Sequence, residues 1–552
     1  MINIQHSRYP TAKGKKVLIE TSGSLPVDEY TKMENVAIDM DVKTPSSVTG
    51  MVGSGWLFGE FYASSIAGPA SIFSWIIGSM MILSLALVYA ELGGKIPLGG
   101  AAARFPEMSH GKSVSAINGW ALFLGYVSTP PLEAVAAVTY MNFMVGGLIS
   151  RSGNLTMPGI GLAFGFLVVF FVINRFGVKA ISSANSYIAL AKIFIPAMTA
   201  IVLALTFFSI KNFTAGGFFA EGTESIFVAI PNAGIVFSFL GFRQAIELSG
   251  EAKNPGRTVP IAIILGLAIS AAIYILVQVA FIGSMTWTGI RVGDWSALAT
   301  SGFSSGPMVV LATSLGIGWL AIILLGDGVV SPLGTAAIYE TTTSRVVYAL
   351  GDMGYFPRFL SKLNKYSVPA IALVFDLVLM AIFLIPAPSW QSLVSLNSDL
   401  SIIAYASGPV ALIVLRKIGT ASREGYFTLP MAGIISPIAY VAAILLIYWS
   451  GYPTTLYMTA VALAGLAIFG YLLWKKSAAM VDLKNSIWFI LTLVSVPIIS
   501  YVGSMNLDII QFPFDVFLMA GIAVVFYFIG INTHIEPSET PDYSISVTIA
   551  QE

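Results

Sequence analysis

Gly50-Met51-Val52-Gly53-Ser54-Gly55-Trp56 lies near the middle of an apolar stretch, residues 46–68, and sets three glycines within six positions. Each glycine in a helix interior costs about 1 kcal/mol relative to alanine, so three together favour local unwinding. Unwound backbone at membrane depth is tolerated only where it faces protein or lines a cavity. The half-helix that resumes after it presents unpaired N–H groups and the positive end of its dipole, which suits a carboxylate. The freed carbonyls suit an ammonium group. The same glycines also fit a close helix–helix contact through small residues, and the sequence alone leaves both readings open.

The surrounding composition says why membrane depth is the right setting. Hydrophobic residues make up 56% of the 552 and charged residues 10%, against roughly 25% charged in an average soluble domain. So little charge cannot cover a water-soluble fold of this length. Lys+Arg and Asp+Glu both number 28, and that balance suggests no nucleic-acid partner. Cysteine is absent, and His6, His110 and His534 are too scattered for a metal motif. No cofactor is expected. The first 45 residues are polar and mixed in charge rather than a cleavable signal peptide, so the first apolar helix must itself start insertion.

Windows of about 20 apolar residues mark candidate membrane helices. Fourteen such spans are expected, at about 46–68, 71–93, 115–148, 158–174, 180–210, 226–249, 259–284, 307–341, 368–387, 393–415, 429–450, 454–474, 485–504 and 512–532. The third and eighth are long enough to tilt. With the N-terminus inside, 23 of the 28 basic residues fall on cytoplasmic segments. Only Arg151, Lys211 and Arg291 fall outside, and Lys192 and Arg243 lie within spans. That asymmetry predicts a plasma-membrane protein with both termini cytoplasmic. Residues 1–45 and 533–552 would be mobile cytoplasmic tails.

The sixth span repeats the theme of the first. Phe237-Ser238-Phe239-Leu240-Gly241-Phe242-Arg243 puts a glycine and a charge in mid-span, followed by Glu247, Glu251 and Lys253-Asn254-Pro255-Gly256-Arg257. Two interruptions five helices apart are what an inverted five-helix repeat predicts, the broken helices facing one another across a midplane site.

Four ordered motifs carry a family resemblance. Gly53-Ser54-Gly55 resembles the carboxylate-binding motif of the amino acid–polyamine–organocation superfamily. Tyr89-Ala90-Glu91-Leu92-Gly93, continuing through Pro97 to Gly99-Gly100, is similar to that family's second helix end. Phe239-Leu240-Gly241-Phe242 with Glu251, Lys253-Asn254-Pro255, Arg257 and Pro260 resembles its helix-six signature. Ser344-Arg345-Val346-Val347-Tyr348-Ala349-Leu350, with Asp352 and Pro357, resembles the stretch after helix eight. The resemblance implies an all-α integral membrane protein with a LeuT-like inverted-repeat core. Residues 46–210 would form repeat 1, 226–416 repeat 2, and 429–532 four additional helices, two more than most members carry.

Carried over by motif, Ser54 and Gly55 would hold a substrate carboxylate through main-chain N–H groups within Gly53-Ser54-Gly55. Carbonyls of Met51, Phe237 and Leu240, beside Gly241, would hold its ammonium. Phe237 matches the aromatic gate position. Two departures stand out: Gly50 precedes the motif, and Arg243 stands where acidic or neutral residues are usual. In proton-coupled members a helix-five lysine looks toward the break in helix one, and Lys192 holds that place.

The other polar residues in spans divide between function and structure. Glu133, on a face with Tyr126, Thr129 and Tyr140, reads as a proton carrier or substrate contact, or else as half of a buried ion pair. Pro130-Pro131 before it would kink the helix. Asp327, Ser331 and Thr335 form one polar stripe at a spacing of four, serving a pathway or only packing. Glu60 and Asp376 stay open in the same way. Arg243 is a permanent cation that needs an anionic partner. Internal pairing with Glu133, Glu247 or Asp327 is the expectation, and the side chain of an acidic substrate is the alternative. Lys192 would exchange a proton during transport, or stay charged and tie helices one, five and eight together. The aromatic content, 12%, reads as interfacial and lipid-facing bulk.

Secondary transport of amino acids by proton symport follows as the leading function, with exchange or a channel-like pore as alternatives. A membrane enzyme would want clustered His, Cys or paired carboxylates, which the sequence lacks. No GxxxxGK[ST] loop occurs, so direct ATP coupling is not expected.

Overall fold

With no water in hydrocarbon to satisfy backbone N–H and C=O groups, apolar stretches must pair them internally, as helices do. The computed structural model describes residues 5–10, 16–21, 50–150, 153–175, 179–247, 249–252, 254–364, 368–385, 389–421, 425–535 and 545–549. Most of both expected tails, and Arg151, Lys253, Lys365 and Arg423, lie outside the described residues. Among the described residues the regular structure is helical apart from three short strands, Gln5–Pro10, Lys16–Thr21 and Ile545–Ile549, which pair in an antiparallel sheet in the order given. Those strands lie in stretches expected to be mobile tails.

The helices run α1 Gly55–Ala67, α2 Ser71–Lys95, α3 Ala101–His110, α4 Lys112–Val127, α5 Thr129–Val145, α6 Met157–Arg175 and α7 Lys179–Thr206. Then come three short pieces, α8 Ser225–Asn232, α9 Ile235–Phe239 and α10 Phe242–Glu247, followed by α11 Pro255–Gly283, α12 Pro307–Ser314 and α13 Gly318–Asp352. The last are α14 Ala370–Phe383, α15 Trp390–Ala406, α16 Gly408–Lys417, α17 Ala432–Tyr448, α18 Thr454–Leu463, α19 Gly465–Trp474, α20 Met480–Val502 and α21 Phe514–Gly530. Among the described residues, eight helical stretches are long and apolar enough to cross a membrane, and four shorter apolar helices accompany them.

The expected eighth span, 307–341, is not one helix. It divides into α12 and α13 at Leu315–Ile317, where Gly316 has a φ of 74° and ends the first piece. The third breaks at Ser128, just ahead of Pro130-Pro131, because proline cannot donate to the preceding turn.

Burial sorts the helices into an enclosed core and a lipid-facing rim. The most apolar stretch of Lys112–Val145 is 100% buried and that of Trp390–Lys417 94%, whereas Met157–Arg175 reaches only 22%. Around the enclosed pair, α11 packs along α2, α13 along α5 and α15 along α4.

The end of the bundle that carries Lys95, Arg104 and Arg416 is fastened by polar bonds. Glu91 accepts from Lys95 Nζ at 2.9 Å, from both forks of Arg416 and from the Leu429 N–H at 2.7 Å. Arg104 pairs with Asp352 at 2.8 Å. Glu247 caps α3, accepting from the Ala101 and Ala102 N–H groups and from the Tyr405 hydroxyl. His110, pushed down to about 4 by burial, is neutral at pH 7. Its Nε2 donates to the Gly530 carbonyl at the end of the last helix, 3.0 Å away.

Candidate functional site

Both glycine-marked breaks exist, and they touch. Residues 50 and 51 are helical, 52–54 bend, and the helix resumes at Gly55. In the sixth stretch the helix stops at Ala233–Gly234 and again at Leu240–Gly241. A side chain on Gly241 would overlap the backbone of Gly50 and Met51, and one on Gly55 would overlap Ser238. Close packing and an open break are therefore one feature here, since only glycine lets the two unwound segments meet.

The donors freed by the first break are already engaged. The Ser54 N–H donates to the Glu133 carboxylate, at 3.0 Å to Oε2 and 3.3 Å to Oε1, and both residues are fully buried. A Cβ on Gly53 would collide with that carboxylate and fall 2.9 Å from Thr335 Oγ1. Thr335 in turn accepts from Lys192 Nζ at 2.6 Å. One turn earlier, the Ser331 hydroxyl donates to the Val52 carbonyl. Glu133, Lys192 and the Ser331–Thr335 edge of the polar stripe thus converge on residues 52–54 from three helices. Asp327 begins the stripe, buried with Oδ2 unbonded. Glu60 and Asp376 are fully buried and neither carboxylate makes a hydrogen bond.

The carbonyls assigned to an ammonium need correction. Met51 O accepts from the Tyr274 hydroxyl at 2.9 Å and from the Gly53 N–H at 3.1 Å. Leu240 O accepts from the Arg243 N–H and from Arg243 Nε, both at 3.1 Å. Phe237 O accepts from the Leu240 N–H and keeps capacity for another donor. Buried carbonyls take the nearest donor, and two of the three have found protein ones.

Arg243 overturns a second expectation. It pairs with none of Glu133, Glu247 or Asp327. Its guanidinium instead lies over the rings of Tyr126, 4.7 Å from the centroid, and Tyr339, at 5.5 Å. Nη1 donates to Ser401 Oγ at 2.5 Å. Glu247, the carboxylate one turn on, is committed to α3 and Tyr405 instead.

One side of the site is lidded by aromatic rings. Trp390 donates through Nε1 to Ser54 Oγ at 2.8 Å and stacks on Phe58 and Tyr62, with centroids 4.8 and 5.6 Å away. Phe237 meets Trp390 edge-on at 6.5 Å.

Comparison with known proteins decides the family. The amino acid permease family matches over residues 45–454. The glutamate/serine transporter AimA of Bacillus subtilis (strain 168) is 38% identical, covering 86% of this chain and 90% of its own. The chain belongs to the amino acid permease family. The aspartate-proton symporter of the same organism is 34% identical over 86% of the permease and 92% of its own length. The branched-chain amino acid permease BcaP, also from Bacillus subtilis, is 23% identical over 82% and 96%. Transport, as a multi-pass membrane protein, is the activity of this family.

In the permease, sequence reasoning missed Trp390, Tyr274, Tyr339 and Ser401. The aromatic content as a whole reads mostly as interfacial and lipid-facing bulk, yet Trp56, Trp75, Tyr274, Tyr339 and Tyr405 are fully buried, as are Tyr126 and Tyr140 on the face of Glu133. A signal was present for some of them: Tyr339 extends the Asp327–Ser331–Thr335 stripe by one more step of four.

Proposed function

We propose that the permease takes up amino acids, acidic ones among them, in symport with protons across the plasma membrane. The topology we propose has fourteen crossings and both termini cytoplasmic. Residues 46–210 and 226–416 would be the two inverted repeats, with 429–532 added outside them. The activities of the relatives, glutamate/serine transport and aspartate–proton symport, support the substrate class and the coupling ion.

The observation that carries the mechanism is the Ser54 N–H held by Glu133. A substrate carboxylate seeks the same helix-end donors. In the empty carrier Glu133 fills that place as a tethered stand-in. Protonation removes the charge that makes this hydrogen bond strong, so the carboxyl yields the Ser54 donor to the substrate. Proton and substrate then load together. When the substrate leaves, Glu133 gives up its proton and returns to Ser54. Lys192, reaching the break through Thr335, supplies positive charge on the same side of Gly53 as the Glu133 carboxylate. The substrate ammonium is left the remaining capacity of Phe237 O.

Glu133→Gln in proteoliposomes tests this. The amide oxygen can still accept from Ser54, but the amide cannot take up or release a proton. Substrate exchange should continue while accumulation driven by a proton gradient falls to background. Concentrative uptake by Glu133→Gln at the parental rate would overturn the coupling role.

A further inference from the structure

Arg243 has the properties of a binding group. It is fully buried, permanently charged and without a carboxylate partner, and its Nη2 makes no hydrogen bond. The Tyr126 hydroxyl beside it is also buried without a hydrogen bond. Both orphans can donate, and the group that accepts from such donors and neutralises a guanidinium is a carboxylate. The contacts Arg243 does have fall short of that. Stacking on two tyrosines offsets part of the cost of taking a cation out of water, but that cost is several kcal/mol per ion.

The guanidinium is also fixed in place. Nε is tied to the Leu240 carbonyl, Nη1 to Ser401, and the plane is held by the Tyr126 and Tyr339 rings. The free edge is Nη2. This arrangement sits on the same helices that build the Ser54 subsite. Tyr339 follows Thr335 by four residues on α13, about 6 Å of helical rise. Tyr126 lies on α4, which continues across the Ser128 break into α5 and Glu133.

We propose that Arg243, with Tyr126, is the receptor for a second carboxylate, that of the side chain of a four- or five-carbon dicarboxylic amino acid. The proposal rests on the reading above that the substrate's own α-carboxylate binds at Ser54. The side chain then runs from the helix-one break, which Thr335 approaches, to the helix-six break, where Tyr339, one helical turn further along α13, lies against Arg243. A neutral side chain of similar length leaves Nη2 unpaired. A small one, such as that of serine, binds through its α-groups alone and does not reach Arg243.

Binding of glutamate, aspartate, glutamine and serine to the purified permease, measured calorimetrically, tests this. Arg243→Gln should weaken glutamate and aspartate about 10- to 100-fold, the loss of a charge-assisted hydrogen-bonded pair, and leave serine within about threefold. Tyr126→Phe, which keeps the ring under the guanidinium, should weaken the acidic pair a few-fold only. It also serves should Arg243→Gln fail to fold. In the parent, glutamate γ-methyl ester should bind much more weakly than glutamate. Equal losses for acidic and neutral substrates, a γ-methyl ester as tight as glutamate, or a parent that binds serine but neither acid would each overturn the assignment while sparing the Ser54 subsite. A parent that binds none of the four would instead overturn the reading of the break as an amino acid site, and this assignment with it.

Discussion

Two arginines in this chain solve the same problem in opposite ways. Arg416, with its side chain 29% exposed, meets fully buried Glu91 through both forks and spends a further donor on the Leu429 carbonyl. Arg243, with no exposure, meets two aromatic rings, a hydroxyl and one carbonyl. The arginine that could have relied on water is fully paired, and the one that has no water is not. Ion pairs at the basic end are closed sets, with Glu91 satisfied by Lys95, Arg416 and Leu429 together. Groups at the helix breaks are arranged so that a partner can be exchanged. On the mechanism proposed above, fixed charge fastens the bundle and exchangeable charge carries the substrate.

The largest expected effect lies at the exchangeable end. Gly53→Val places its side chain against the Glu133 carboxylate and Thr335 at once. Uptake should fall by more than about 100-fold, as overpacking at an obligatory close approach commonly forces a shift of backbone. Protein that elutes as a single species yet transports at more than a tenth of the parental rate would show the cluster to be loosely packed, and would blur the contrast. At the fastened end, Glu91→Gln should lower stability and spare transport. Breaking a buried pair costs 3–5 kcal/mol, and because Arg416 still reaches water a loss of about 2 kcal/mol is expected. Thermal unfolding in detergent reads it. A changed KM with unaltered melting would put Glu91 in the working part of the molecule instead. The smallest effect belongs to the lid. Trp390→Phe keeps the stacking on Phe58 and Tyr62 and loses only the bond to Ser54 Oγ, worth about 0.5–1.5 kcal/mol. KM should rise about two- to tenfold with little change in kcat, and a lost kcat would mean the indole bond moves with the transport cycle.

Much of this was legible in the chain. The spacing of apolar runs located the helices, because hydrocarbon thickness dictates their length. Gly53-Ser54-Gly55 and Leu240-Gly241 located the breaks, because glycine is what a helix interior least tolerates. What stayed hidden depends on residues far apart in sequence. Ser54 meets Glu133 from 79 positions away, and Arg243 meets Ser401 from 158. Local spacing puts Tyr126 and Tyr339 on polar faces of their helices but does not show that a guanidinium from another helix lies over both. The division of 307–341 was hidden for another reason: a two- or three-residue turn of apolar residues leaves mean hydropathy unchanged. The engaged carbonyls of Met51 and Leu240 likewise follow from donors, Tyr274 and Arg243 itself, that tertiary packing delivers.

The contact between His110 and Gly530 joins residues 420 positions apart. Ser109 beside it accepts from the Ile535 N–H, and Lys417 reaches the Ile531 carbonyl. A chain is made from its N-terminus, and its early parts begin to fold first. The helix Ala101–His110 therefore waits, through the synthesis of 420 further residues, for the acceptor that completes it. Folding of the end built around Glu91 and Arg104 is thereby tied to a helix far downstream in the chain.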